Sequence, residues 1–345
     1  MFLVYKVIQR YLQYKMENRK TIDVIIPTYN NALFIKEAIM SAATQTYKPE
    51  TIIVIDDGST DNTEVVVKET IHSCPVQIRY IKQENKGPNA ARNAGLALSS
   101  ADYVAFLDSD DVWLPEKLEK QISVFKAYKN DMLGAVYCEA RVINNKGEIT
   151  NEYLEPIDQS IRGNIYHKLF YKNYIMGSAS GVLIKKSCFD VVGKFDEELR
   201  GFEDWDMWLR LAEKYEFDFV PETLTMLRHH RSNSHYNLAL MFSSGINFYN
   251  KWYSKAASQK IFDVWAERIV FDIIRGFPKN DLLPILKNNL SLDAKNKIFN
   301  KTRGSVRLFI IYFICVRLWG YIINPKKFRK IYLKTKEHIL WKIRS

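Results

Sequence analysis

The chain has 345 residues, 47% hydrophobic and 26% charged, which suits one substantial core plus an appendage and excludes a disordered or low-complexity chain. Its formal net charge is +11, yet from Lys301 onward twelve basic residues face a single acid, Glu337, so residues 1–300 are net neutral. The body is therefore no general polyanion binder, and the tail is the electrostatic outlier. Cys74, Cys138, Cys188 and Cys315 lie far apart with no C-x-x-C pair, which argues against a zinc site or redox dithiol and for free thiols in a reducing compartment.

Residues 1–20 predict a basic amphipathic segment. Leu3, Val4, Val7, Ile8, Tyr11 and Leu12 recur at helical spacing, while Lys6, Arg10, Lys15, Arg19 and Lys20 interrupt any signal-peptide core. Met1 and Met16 are both candidate starts. Residues 22–27 form a short apolar run, as a buried parallel strand does. Asn31 then reads as an N-cap for a helix over 32–45, with Ile35, Ala38, Ile39 and Ala42 on one face. A second strand over 51–55 stops at Asp56-Asp57-Gly58-Ser59, and a helix runs from about 61 to 71. A strand over 76–81, an alanine-rich helix over 88–99 and a strand over 103–107 follow. This alternation indicates an α/β layer of parallel strands, in which ligands bind off the carboxyl ends. Further on, Pro115 opens a helix, 133–143 and 179–185 read as strands, and 204–214 reads as a helix. After about Tyr236 helical stretches run to about 300.

Chemistry concentrates at three of those strand ends. The fourth strand stops in Asp108-Ser109-Asp110-Asp111, three carboxylates within four residues. Crowded carboxylates need a compensating charge, which a divalent cation bridging to phosphate supplies; a solvated turn is the plainer alternative. Tyr29, after Pro27, offers a ring that stacks on a nucleobase, or simply sits in a tight strand-to-helix turn. Asp57 either accepts a hydrogen bond from a base edge or caps the next helix.

Together, residues 24–63 (VIIPTYNNALFIKEAIMSAATQTYKPETIIVIDDGSTDNT), 85–96 (NKGPNAARNAGL) and 103–118 (YVAFLDSDDVWLPEKL) resemble the nucleotide-sugar half of a family-2 glycosyltransferase of the GT-A fold. The resemblance implies a Rossmann-like mixed sheet with a nucleotide-binding half and an acceptor half over 21–235. A helical extension (236–300) and a basic, apolar tail (301–345) would follow. It implies that Pro27, Tyr29 and Asp57 hold the nucleoside, and that Lys86, Gly87, Asn89 and Arg92 border the donor with Asp108 and Ser109. Asp110, with Asp108, would ligate Mn2+ or Mg2+. Glu203-Asp204 resembles the family's E-D pair, with Asp204 as general base and Glu203 and Asp206 as substitutes. Ser178–Gly181 matches a small-residue segment beside the acceptor pocket. Residues 227–234 resemble a mobile R-x-H-x-x-S loop, with His230 placed to touch metal or pyrophosphate; Arg231-Ser232 stands where the family often has Pro-Gly.

The expected reaction is metal-dependent, inverting, hexosyltransferase-like transfer from a nucleotide-diphosphate sugar, UDP-linked by preference, to a saccharide or lipid-linked hydroxyl in surface polysaccharide synthesis. A nucleotidyltransferase and a non-catalytic donor-binding scaffold are the alternatives. In the tail, residues 308–316 are continuously apolar but too few to span a bilayer, and Arg317 interrupts the longer run. An interfacial helix on anionic lipid fits, as does a helix packed on the body. No nucleic-acid module is recognisable. The expected location is cytoplasmic, peripheral on the inner face of the cell membrane.

Overall fold

The computed structural model describes residues 19–170, 172–175, 177–230, 233 and 237–253. The chain opens with four strands, β1 (Ile22–Thr28), β2 (Thr51–Asp56), β3 (Gln77–Lys82) and β4 (Tyr103–Phe106). Between them run α1 (Ile35–Ala43), α2 (Thr63–Ser73) and α3 (Pro88–Leu98). β1 pairs in parallel with β2 and with β4, and β2 with β3. The crossover helices bury both faces of β1, which is why its sequence is a continuous apolar run rather than an alternating one. Ile22, Val24 and Ile26 pack in one cluster with Ile35, Ala38, Ile39 and Ala42 of α1. Ile25 packs against α3, so close to Gly95 that a Cβ there would lie 2.4 Å from Ile25 Cγ2. That approach seats α3 closely on β1.

The second half supplies β5 (Val112–Trp113), α4 (Lys117–Ala127), β6 (Leu133–Ile143), α5 (Tyr166–Leu169), β7 (Val182–Lys185), α6 (Cys188–Val192), α7 (Glu203–Lys214), β8 (Glu216–Arg228) and α8 (Leu238–Tyr253). All eight described strands join one mixed sheet in the order β3-β2-β1-β4-β7-β6-β8-β5. β4 and β7 pair antiparallel, as do β6 with β7 and β5 with β8, whereas β6 and β8 are parallel. This is the expected mixed α/β sheet, with a parallel half and a second half beyond β4.

Three local expectations need correction. The first helix begins at Ile35, and Asn31 does not cap it with its side chain; the Asn31 amide donates instead to Ser109 Oγ at 2.7 Å. Residues 179–181 form a short 3-10 turn, so β7 starts at Val182 rather than 179. β8 was not expected, because acids and Pro221 break up its apolar pattern. The ladder passes from Cys138↔Val220 to Glu139↔Thr223, so Pro221 falls in a bulge where no ladder donor is needed. Of the expected helical extension, α8 is described; the rest of 236–300, the 301–345 tail with Cys315, and residues 1–18 lie outside the described residues. Among the described residues no helix is long and apolar enough to cross a membrane.

Candidate active site

The carboxyl ends of β1, β2 and β4 meet as the parallel ladder requires. Thr28 pairs with Asp56 and Ile25 with Phe106, so the residues that follow each strand share one edge. Pro27 lies opposite Ile55, and Tyr29, just beyond it, is 50% exposed. Asn30 adopts a left-handed conformation with φ 48°, which asparagine tolerates. Its Oδ1 accepts the Thr60 N–H at 2.7 Å, tying the end of β1 to the loop after β2.

Asp57 does not cap α2, because Asp61 accepts the Thr63 N–H at 3.0 Å. The Asp57 carboxylate is buried and organises the next loop. It accepts Gln83 Nε2 at 2.7 Å, the Lys86 N–H at 2.9 Å and the Gly87 N–H at 2.7 Å. Gly87 turns the chain with φ 95° into α3. The Lys86 side chain is exposed, whereas Asn89 is buried and donates to the carbonyls of Asp196 and Leu199 at 2.9 and 2.5 Å. Asn89 therefore ties α3 to the 196–199 loop rather than presenting its amide to a ligand.

The carboxylate turn after β4 is not a solvated turn. Asp108 Oδ1 pairs with Arg92 Nη2 at 2.8 Å, and the Asp108 N–H donates to Ser180 Oγ at 3.0 Å. Asp110 Oδ2 contacts His230 Nε2 at 2.9 Å and accepts Asn233 Nδ2 at 3.0 Å. Asp111 points inward, where it accepts Ser180 Oγ at 2.6 Å and the Arg228 N–H at 2.9 Å. Burial, then the charge of Asp108, raises the Asp110 carboxyl; burial, then Asp110 and Asp108, raises Asp111 well above the usual range. Arg228 is itself buried. It donates to the Asp110 carbonyl at 2.8 Å and to Glu37 at 2.6 Å. Its guanidinium lies 4.6 Å from the Phe34 ring, whose other neighbour is the stacked His230 ring at 5.4 Å. The loop after β8 thus begins locked onto the carboxylate turn.

Glu203 and Asp204 open α7, where Phe202 turns the chain with φ 65°. Arg92 Nη1 reaches Asn89 Oδ1 at 2.9 Å and Glu203 Oε1 at 3.5 Å, so one buried guanidinium joins Asp108 to Glu203. Burial alone would lower Arg92, but Asp108, Asp204 and Glu203 outweigh it and keep it charged. Burial, then Asp204, pushes Glu203 up to about 7 against Arg92. Burial also raises Asp204, opposed by Arg92. Asp204 Oδ2 accepts Ser178 Oγ at 3.0 Å and the Ala179 N–H at 3.2 Å, while its buried Oδ1 has no hydrogen-bond partner among the described residues. Asp206 is no substitute base: it is fully buried and accepts from Arg210 Nε and Trp252 Nε1, each at 2.9 Å, and pairs with Lys251 at 2.8 Å.

The sequence and the fold both have known relatives. The family model described as Glycosyl transferase family 2 matches residues 23–189. An uncharacterized glycosyltransferase of Methanocaldococcus jannaschii is 31% identical over 216 residues, covering 61% of this chain and 71% of that relative. The chain belongs to glycosyl transferase family 2. Solved structures share its fold. S. aureus TarS 1–349 in complex with UDP superposes with a TM-score of 0.53 at 17% identity, covering 81% of this chain and 78% of that fragment. The mannosyltransferase PcManGT from Pyrobaculum calidifontis, in complex with GDP-Man and Mn2+, gives 0.55 at 18% identity over 84% and 81%. This family-2 glycosyltransferase therefore has the GT-A-like mixed sheet that its motifs suggest.

The buried partners of Asp111 and Arg228 go beyond their places in the carboxylate run and at the head of the R-x-H loop. Their signal was present, since a third acid beside a D-x-D pair and an arginine ending an apolar run both need buried partners. Among the described residues no three His, Cys, Asp or Glu side chains converge as a ready-made metal cluster. A magnesium or manganese ion completed by substrate phosphates needs only one or two protein carboxylates, and at this turn the Asp108 charge acts on Asp110. The charge balance fits such an ion as well. Arg92 is shared by Asp108, Glu203 and Asp204, and Arg228 spends a guanidinium N–H on the Asp110 carbonyl rather than its carboxylate.

Proposed function

We propose that this glycosyltransferase moves a sugar from a nucleoside diphosphate donor to an acceptor hydroxyl in one displacement, with inversion. The observation that carries the reading is Asp204: a buried carboxylate with one oxygen fixed by Ser178 and Ala179 and the other unpartnered. Such an oxygen takes the proton of the attacking hydroxyl, and a carboxyl raised by burial is a stronger base than a free one. As the acceptor oxygen bonds to the anomeric carbon, the bond to the diphosphate breaks and the nucleotide leaves with the electron pair. Pro27, Tyr29 and Asp57 border the nucleoside, and Asp108, Ser109, Lys86, Gly87 and Arg92 border the sugar and phosphates. Asp110 and Asp108, with His230, would hold Mn2+ or Mg2+. Bound there, a divalent ion offsets the charge that develops on the departing diphosphate.

The TarS complex with UDP favours a uridine donor, and the mannosyltransferase complex with GDP-Man and Mn2+ favours a metal. A surface polysaccharide on a lipid-linked acceptor, reached from a membrane face through the basic tail, is the setting that the tail's charge supports. The test is hydrolysis of UDP-, GDP-, dTDP- and CMP-sugars by the full chain, with manganese and with chelator. Metal-dependent release of one nucleoside diphosphate supports the reading. Release of pyrophosphate or nucleoside monophosphate, or no turnover of any donor, contradicts it.

A further inference from the structure

We propose that Ser178 is a positioning residue for this transfer: its hydroxyl fixes one oxygen of Asp204 and thereby leaves the other for the acceptor proton. The inference rests on the reading of Asp204 as the base. Ser178 has φ 52° and ψ −164°, a backbone conformation that is essentially glycine's own and strains any residue with a Cβ. Nothing about serine favours that conformation, so the reason must lie in the side chain. Ser178 Oγ lies 3.0 Å from Asp204 Oδ2 and 3.4 Å from Asp108 Oδ2, between the acceptor-side acid and the first acid of the D-x-D pair.

The surroundings hold the strain in place. The Gly181 N–H donates to the Gly177 carbonyl at 2.8 Å, closing the turn. A Cβ on Gly177 would lie 3.0 Å from Gly181 Cα, so the two backbones are in contact. Ser180 Oγ donates to Asp111 and accepts the Asp108 N–H, which nails the turn to the donor side. The Ala179 N–H adds a second donor to Asp204 Oδ2 at 3.2 Å. Two donors on one carboxylate oxygen set the rotation of the group, and Asp204 Oδ1 is the oxygen that remains. Strain of this kind at a reacting group is a means of preorganisation.

Ser178→Ala and Ser178→Gly separate the hydroxyl from the strain, because both delete the hydroxyl and only glycine relaxes the backbone. The assay is hydrolysis of the nucleotide sugar selected by the donor panel, with water as acceptor, using the full chain. Both variants are expected to lose about ten- to a hundredfold in kcat, the usual effect of losing a hydrogen bond to a charged group, with the donor KM within about twofold. Ser178→Gly should also melt roughly 2–5 °C above Ser178→Ala, despite glycine's greater freedom when unfolded. Wild-type kcat in Ser178→Gly, or equal melting of the two variants, overturns the proposal. Asp204→Asn run in parallel keeps the two claims apart. If it turns over normally, the base reading fails; if it is inactive while both Ser178 variants match wild type, only the role of Ser178 fails.

Discussion

Glu203→Gln should make the protein more stable, and only at neutral to alkaline pH. Glu203 is 17% exposed, its carboxyl sits beside Asp204, and burial lifts it from the ordinary 4.5 to about 7. A carboxyl raised in the folded state costs nothing while it is protonated in both states, below about pH 4.5. The cost grows as pH rises through the interval to 7, where the unfolded chain ionises freely and the folded one does not. A rise from 4.5 to about 7 at about 1.4 kcal/mol per unit gives about 3 kcal/mol at pH 8, and glutamine of the same shape removes it. Arg92 keeps Asp108 as its closest partner, so the variant strands no cation. Thermal melts of wild type and variant at pH 8 should differ by roughly 5–10 °C in favour of the variant, and the difference should vanish by pH 4. A gap that does not change with pH, or a variant less stable at pH 8, would refute the electrostatic account of this site.

Asp204→Asn keeps the shape of the base and removes its basicity. Turnover should fall by about two to four orders of magnitude while donor affinity by calorimetry is retained; near-normal turnover would move the base role to Glu203. Asp206→Ala strips Arg210, Lys251 and Trp252 of their shared buried acceptor, and chemical denaturation should show a loss of about 3–5 kcal/mol, whereas an unchanged midpoint would contradict its role in docking α8 on α7. Deleting 301–345 should leave donor hydrolysis intact and abolish low-salt co-sedimentation with anionic vesicles, each basic residue contributing on the order of 1 kcal/mol at the surface. Full-length protein that fails to pellet would remove the membrane reading of the tail.

The parallel half was legible because its physics is local. Strands β1, β2 and β4 are apolar runs ended by polar residues, and those ends become one edge as soon as the strands are parallel. The residues Tyr29, Asp57, Asp108 and Asp110 all lie on that edge, while the roles expected of them come from the family resemblance. What the pattern hid was set by distant partners. Asn31 reads as a cap until Ser109, 78 residues on, takes its amide. Asn89 reads as a ligand donor until the 196–199 loop claims it. β8 was invisible because its bulge absorbs Pro221, and only the β6 ladder shows why that is tolerated. Asp206 and Asp204 look alike in sequence; their two-residue spacing sends one into the α8 interface and the other to Ser178. The strain at Ser178 has no sequence signature, since serine is common in turns.

The central claim is that one site holds a nucleoside diphosphate through a divalent ion on the carboxylate turn. Isothermal calorimetry of UDP and of GDP, with manganese and with chelator, on wild type and Asp110→Ala, tests it most directly. Wild type should bind at least one nucleotide in a manganese-dependent way, and Asp110→Ala should lose that dependence. Equal affinity with and without manganese, or an unchanged manganese dependence in the variant, would contradict it.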